Sequence, residues 1–437
     1  MSKSVTVIGG GVAGLSAAVF LAFKDFKVTL IEASPKLGGR AYSFFDNIIR
    51  ANIDNGQHIF ASWYHNTFDF LKITGSYNKL TFQKQLEVKF IDSNAKEYLF
   101  KCPKLPPPFH LILGILKYKA LGFKDKIAII RLVNSIKKNK ISDAKLRKIN
   151  TDKLFELTSQ TERLINFFWK PFIIAVFNAK PEDTSAFLFS EIIKVGFLKE
   201  GGSNLVLPDG FLSELLVEQA IEYLKNKDCE IVINKKIAGI NFEGNSVTSL
   251  IFEDSTEIKS DYYVSAVPFF DFKNLVGEDI YSGDFNQVEG LKPSPIVNIH
   301  IKYDRSINDI FNERFAGLLN TQVQWIFKVS SDQICLVISA AKGIAEMNKE
   351  EIIKIAKDEL DKCIPGFKNF NIKGARVIKE MRATFMPDSN SLSLRPENRT
   401  KFSNFFIAGD WTNTGFPATI EGAVSSSKKC VNEILKS

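Results

Sequence analysis

Paired cysteines, long apolar runs and repeats are all missing from this chain, and each absence removes a class of function. Its five cysteines, Cys102, Cys229, Cys335, Cys363 and Cys430, are widely separated. None of the close spacings of a metal or dithiol redox site occurs, so reduced thiols are expected and no metal ligand set is assigned. No stretch of about 18 apolar residues is present, so no transmembrane span is expected. The first motif begins at Val5, which leaves no room ahead of it for a cleavable hydrophobic signal, and a cytoplasmic location is expected. There is no internal repeat and no low-complexity tract. What remains is ordinary for a globular protein, with 45% hydrophobic and 24% charged residues. At 437 residues the chain exceeds a single core, and two domains are expected.

Two segments at opposite ends carry the chemistry. Val5-Thr6-Val7-Ile8 is a β-branched run that breaks into Gly9-Gly10-Gly11-Val12-Ala13-Gly14 and continues as a helix. This is the strand, Gly-x-Gly-x-x-Gly turn and helix of a dinucleotide site. Gly9 permits the tight turn, Gly11 lets the backbone approach a pyrophosphate at the helix N-terminus beside Val12 and Ala13, and Gly14 allows the helix to pack on the strand. The next strand, Val28–Ile31, ends at Glu32, placed to accept hydrogen bonds from a ribose. An acid there favours a free 2′-hydroxyl over a 2′-phosphate, which excludes NADP, although NAD would satisfy the glycine turn alone. At the other end, Phe405–Ala408 reads as a buried strand running into Gly409-Asp410-Trp411. A helix begins near Thr419, since Pro417 suits a helix start and Glu421 its first turn.

Leu37-Gly38-Gly39-Arg40-Ala41 resembles the Gly-Gly-Arg signature of flavoproteins of the amine oxidase and phytoene desaturase superfamily, as does the Gly409-Asp410 segment. The resemblance implies that Gly39 and Arg40 lie at the cofactor's phosphate region and Asp410 near its ribityl chain. It also implies that the chain near Ile237 passes the adenine, and that the helix led by Thr419 and Ile420 faces the flavin ring, where charge accumulates on reduction. One FAD is the reading that joins both ends of the chain. Asp54-Asn55-Gly56-Gln57-His58, Leu105-Pro106-Pro107-Pro108-Phe109-His110-Leu111, Trp169-Lys170-Pro171 with Ala175 and Asn178, and Gly409-Asp410-Trp411 narrow this further. Together they resemble the hydroxysqualene dehydroxylase family over nearly the whole chain. Lys170 stands where that family often has an acid, and no role is given to it.

That resemblance implies hydride delivery from reduced FAD to a polyisoprenoid as its hydroxyl leaves, with Gly56, Gln57 and His58 at the cofactor. His58 and Asp54 are the nearest candidates for the proton donor; Tyr64 and Glu421 are weaker ones. Amine oxidases commonly carry a lysine near flavin N5, and the register places Val297 there. No cysteine lies between Cys363 and Cys430, so FAD is expected to be bound non-covalently. The 38 phenylalanines suit an apolar substrate. A carotenoid desaturase and a prenyl-binding protein of the GDP-dissociation-inhibitor type remain the competing readings, and no motif identifies an electron donor.

The expected fold is α/β: a Rossmann-like FAD domain from residues 1–75, 197–268 and 400–437, with a discontinuous substrate domain of mixed sheet and helices from 76–196 and 269–399. Lys84–Phe100 reads as a hairpin, Pro103–Gly196 as mostly helical, and Ser294–Tyr303 and Val323–Ile338 as long strands. Residues 101–148 hold thirteen basic side chains against two acidic ones, a local excess above the net +8 of the chain. Interleaved with leucine, isoleucine and phenylalanine, they predict basic amphipathic helices lying on an anionic bilayer, a peripheral association with the inner face of the cytoplasmic membrane. A solvated helical pair is the alternative. No nucleic-acid motif accompanies the charge.

Overall fold

The computed structural model describes residues 2–106, 108–199 and 203–437; Pro107 of the proline-rich segment and residues 200–202 of the 197–268 span lie outside the described residues. Strand Ser4–Ile8 is the centre of a five-stranded parallel sheet. Lys27–Ile31 and Tyr262–Ser265 flank it, and Glu230–Val232 and Phe405–Ile407 form the edges. Parallel sheets are covered on both faces, so their strands are apolar throughout rather than alternating. Tyr262–Ser265 and Phe405–Ile407 are accordingly buried at every residue. Helices Val12–Phe23 and Ile420–Leu435 pack together on this sheet, and Ser427 Oγ donates to the Ala13 carbonyl at 2.6 Å. The two ends of the chain are therefore one structural unit.

A seven-stranded mixed sheet forms the second layer, in the order Ile372–Phe385, Pro293–Tyr303, Gln333–Ile338, Trp325–Lys328, Phe315–Leu319, Glu87–Asp92 and Glu97–Lys101. The hairpin Glu87–Lys101 joins it through a parallel pairing with Phe315–Leu319, so the sheet is built from two separate excursions of the chain. The stretch expected as one strand over Val323–Ile338 is two strands joined by a tight turn at 329–332. Ile372–Phe385, a 14-residue strand, has no apolar alternation to announce it. It lies at the sheet edge, where Lys373, Arg376, Lys379 and Arg382 discourage pairing with another chain.

The helices after Pro268 pack with the parallel sheet. Phe272 lies 5.2 Å from Trp411, ring to ring, and shares a core with Ile8, Ile31 and Ile407. In the basic region, helices Phe109–Lys117 and Phe123–Lys137 bury Leu111, Ile115, Ile129, Leu132 and Ile136. They leave Phe109, Ile112, Leu116, Phe123, Ile127 and Ile130 exposed, Phe123 by 78%. Among the described residues, Lys101 is the one of the thirteen bases with an acidic partner, Glu87.

Candidate active site

One cavity of about 1240 Å³ runs between the two layers. That exceeds the roughly 300–1,000 Å³ of a site for one small ligand, leaving space for a cofactor and a second molecule. At one end it is a glycine trough. Gly9 has φ +102°, a conformation glycine adopts without strain. A Cβ on Gly14 would lie 1.7 Å from the Gly9 carbonyl oxygen, so the helix can follow the turn only because residue 14 has no side chain. Gly11 and Gly38 form an isolated bridge, and a Cβ on Gly39 would lie 3.0 Å from Gly11 Cα. The Gly-Gly-Arg loop and the first glycine turn thus form one groove, which side chains would fill. Glu32 accepts from the Gly10 amide at 2.6 Å and the Ser34 amide at 2.8 Å. A carboxylate has about four lone-pair sites, so two remain for ribose hydroxyls.

Arg40 and Asp410, 370 residues apart, meet in a 2.8 Å ion pair, and Arg40 also donates to the Ala383 carbonyl at 2.8 Å. Trp411 Nε1 donates to the Val267 carbonyl at 3.0 Å, which fastens the Gly-Asp-Trp segment to the Ala266-Val267-Pro268 return. The last helix is capped by Thr419, whose hydroxyl accepts from the Gly422 amide at 3.0 Å. Buried Arg395 braces the loop between them, donating to the Asp410 and Phe416 carbonyls and to Thr414 Oγ1.

Of the residues expected at the cofactor, Gly9, Gly11, Val12, Ala13, Glu32, Gly39, Arg40, Gly56, Gln57, His58, Ile237, Gly409, Asp410, Thr419 and Ile420 all line the cavity. Gly14 lies beneath it as the packing glycine. The two proton-donor candidates part company. His58 is on the cavity wall, where burial lowers its pKa to about 4, so its imidazole is neutral at neutral pH. Asp54 is not among the lining residues; its Oδ1 accepts from Ser43 Oγ at 2.6 Å and the Leu212 amide at 3.0 Å, anchoring the loop that carries His58. Burial pushes Asp54 up to about 6 despite those two bonds. Tyr64 lines the cavity. Glu421 does not: its carboxylate accepts four hydrogen bonds from Asn66 and Thr67, at the N-terminus of helix His65–Thr74.

Val297, expected near flavin N5, does not line the cavity. Val297 is fully buried in the core beneath helix Lys349–Cys363, and the strand's cavity face carries Ile296 and Asn298. Strand side chains alternate, so a register one residue off selects the wrong face. The far end of the cavity is aromatic, walled by Phe90, Phe100, Phe168, Phe172, Trp325 and Phe327. No individual phenylalanine in the sequence distinguishes itself as one of these. Asn178 ties this end to the sheet: in left-handed conformation after helix Lys170–Phe177, it donates to the Ser294 carbonyl and Thr384 Oγ1 and accepts from the Ala340 amide.

Residues 12–435 match the family model of flavin containing amine oxidoreductases. A hydroxysqualene dehydroxylase of Zymomonas mobilis is 29% identical, over 97% of this chain and 97% of its own. A 15-cis-phytoene desaturase of Solanum lycopersicum is 25% identical, over 99% of this chain and 77% of its own. Among solved structures, an oxidoreductase from Methanosarcina mazei superposes with a TM-score of 0.77 at 16% identity, covering 98% of this chain and 100% of that one, a likeness of fold.

Proposed function

The chain belongs to the family of flavin-containing amine oxidoreductases, and from that premise we propose that it is an FAD-dependent enzyme reducing hydroxysqualene to squalene. The observation that carries this reading is the continuity of the glycine trough with an aromatic chamber in one cavity, in a chain whose likeness to a hydroxysqualene dehydroxylase extends over nearly its full length. The trough fits FAD because the Gly11–Gly39 groove is open backbone and Glu32 has acceptor sites to spare. Gly9, Gly11 and the Val12–Ala13 helix start would hold the pyrophosphate, Glu32 a ribose, and Thr419 and Ile420 the flavin ring. Bound there in its reduced form, FAD would supply a hydride to the substrate carbon and its remaining proton to the departing hydroxyl, giving squalene, water and oxidised FAD. No cysteine lines the cavity among the described residues, which supports non-covalent binding.

His58, neutral at neutral pH, serves as a hydrogen-bonding group near the alcohol rather than as a cationic acid. The aromatic walls exclude water and hold the hydrocarbon chain. Among the described residues no helix is long and apolar enough to cross a membrane. We place the protein at an anionic bilayer through Phe109, Ile112, Leu116 and Phe123, all exposed, with Lys117, Lys119, Lys124 and Lys126 beside them. A desaturase reading is kept in view by the phytoene desaturase relative. Anaerobic incubation of chemically reduced protein with hydroxysqualene, and of oxidised protein with phytoene, followed by product identification, separates the two. Squalene in the first supports the proposal, and desaturated phytoene in the second rejects it.

A further inference from the structure

Glu421 is 1% exposed, in the first turn of the helix whose start, Thr419 and Ile420, lines the cavity. A carboxyl buried there needs compensation, and it comes from a second helix. The Asn66 amide and Nδ2 donate to Oε1 at 3.1 and 3.0 Å, and the Thr67 amide and hydroxyl donate to Oε2 at 2.9 and 2.7 Å. Asn66 and Thr67 lie in the first turn of helix His65–Thr74, so two helix N-termini converge on one carboxyl. Each helix end carries about half a positive charge, and one carboxylate offsets both. Donors fill all four lone-pair sites, the arrangement of the ionised form. Burial raises the Glu421 pKa, and these donors pull it back. The carboxylate lies behind the cavity wall rather than in it, yet its field reaches the wall. Burial and then the Glu421 charge raise the pKa of the Tyr64 phenol, a lining residue.

We infer that Glu421, without touching the cofactor, lowers the reduction potential of the bound flavin and so makes reduced flavin a stronger hydride donor. Two electrons and one proton delivered to oxidised flavin leave negative charge at N1 and the C2 oxygen. A helix start alone stabilises that charge; the carboxylate cancels the helix field and opposes its accumulation. Electron density then leaves more readily, as hydride to the substrate carbon. The inference rests on the reading of this cavity as a reductive FAD site. The potential is measured without lipid, so a protein that makes no squalene leaves the role of Glu421 standing.

Flavin-loaded parent, Glu421→Gln and Glu421→Asp are each reduced anaerobically beside a dye of known potential, and the fractions of oxidised flavin and dye are read by absorbance. Glu421→Gln keeps the size of the side chain and removes the charge. It is expected to shift the equilibrium towards reduced flavin by about tenfold, which is about 30 mV for a two-electron couple. Glu421→Asp disturbs the same hydrogen bonds but keeps the charge, and is expected to stay within about 2-fold of the parent. A purely structural role moves the two variants together. If either variant fails to hold flavin, the parent decides: bound flavin at or below the potential of free FAD measured in the same way supports the inference, and a potential above it overturns it. A Glu421→Gln potential equal to the parent's, or one matched by Glu421→Asp, also overturns it.

Discussion

Replacing Gly11 by valine separates what the glycine turn does for the fold from what it does for the ligand. Gly11 has φ −69° and ψ −179°, extended backbone open to any residue. A Cβ there would meet nothing nearer than Gly39 Cα, at 3.8 Å. The fold therefore tolerates a side chain at 11, at a cost of within about 1 kcal/mol, the scale of a substitution that buries no clash. The valine would instead project into the groove between Gly11 and Gly39. Gly14 is the contrast: a Cβ there would lie 1.7 Å from the Gly9 oxygen and 2.9 Å from its carbonyl carbon, so Gly14→Ala is expected to cost at least the roughly 1–3 kcal/mol of overpacking. Thermal melting with and without added FAD, together with flavin absorbance, reads both effects. Free FAD at 100 times its Kd adds about 2.7 kcal/mol to the parent. Gly11→Val should melt like the flavin-free parent, gain nothing from FAD and purify colourless, whereas Gly14→Ala should lose stability without FAD. A folded, yellow Gly11→Val protein refutes the trough as the pyrophosphate site.

Glu32→Ala should weaken FAD binding by about 1–3 kcal/mol, the range for hydrogen bonds to a charged group, and full flavin occupancy at limiting FAD contradicts it. Lys117, Lys119, Lys124 and Lys126 changed together to Glu should release the protein from anionic vesicles, at about 1 kcal/mol for each lysine near the surface and less as salt rises. The flavin spectrum should not change; co-sedimentation equal to the parent's at low salt makes this an ordinary solvated face. Asp54, raised to about 6 by burial, holds its proton more tightly folded than unfolded. It therefore supports the fold most fully below about pH 4, and loses that support as pH rises through 6. Asp54→Asn mimics the protonated form, so its stability relative to the parent should climb between about pH 4 and 6 and level off above 7. The amplitude should be on the order of 2–3 kcal/mol, and a pH-independent difference in urea melts shows that Asp54 does not titrate there.

The cofactor half of this protein was legible because its requirements are local. A strand, a glycine turn and a helix start must be adjacent in sequence to cradle a phosphate, so Val5–Gly14 and Gly409–Ile420 announce themselves. The ion pair between Arg40 and Asp410 brings together two motifs 370 residues apart in the chain. The substrate half depends on which face a strand presents, and a period of two offers no margin for error: the expected Val297 lies in the core and Asn298 at the cavity. Strand Ile372–Phe385 carries no alternation to mark it in the sequence, because an edge strand needs charge rather than alternation. Asp54 and Glu421 looked like catalytic acids from their neighbours in sequence. Their partners, Ser43 and Leu212 for one and Asn66 and Thr67 for the other, are set by tertiary contacts that no spacing reveals.

The central claim is that one cavity brings reduced flavin and a polyisoprenoid alcohol together. Its most direct test is an anaerobic titration of the chemically reduced protein with hydroxysqualene, following the flavin spectrum and the lipid product in the same sample. The account predicts that each equivalent of squalene formed returns one equivalent of flavin to the oxidised state. Flavin that stays reduced while hydroxysqualene is recovered unchanged contradicts it.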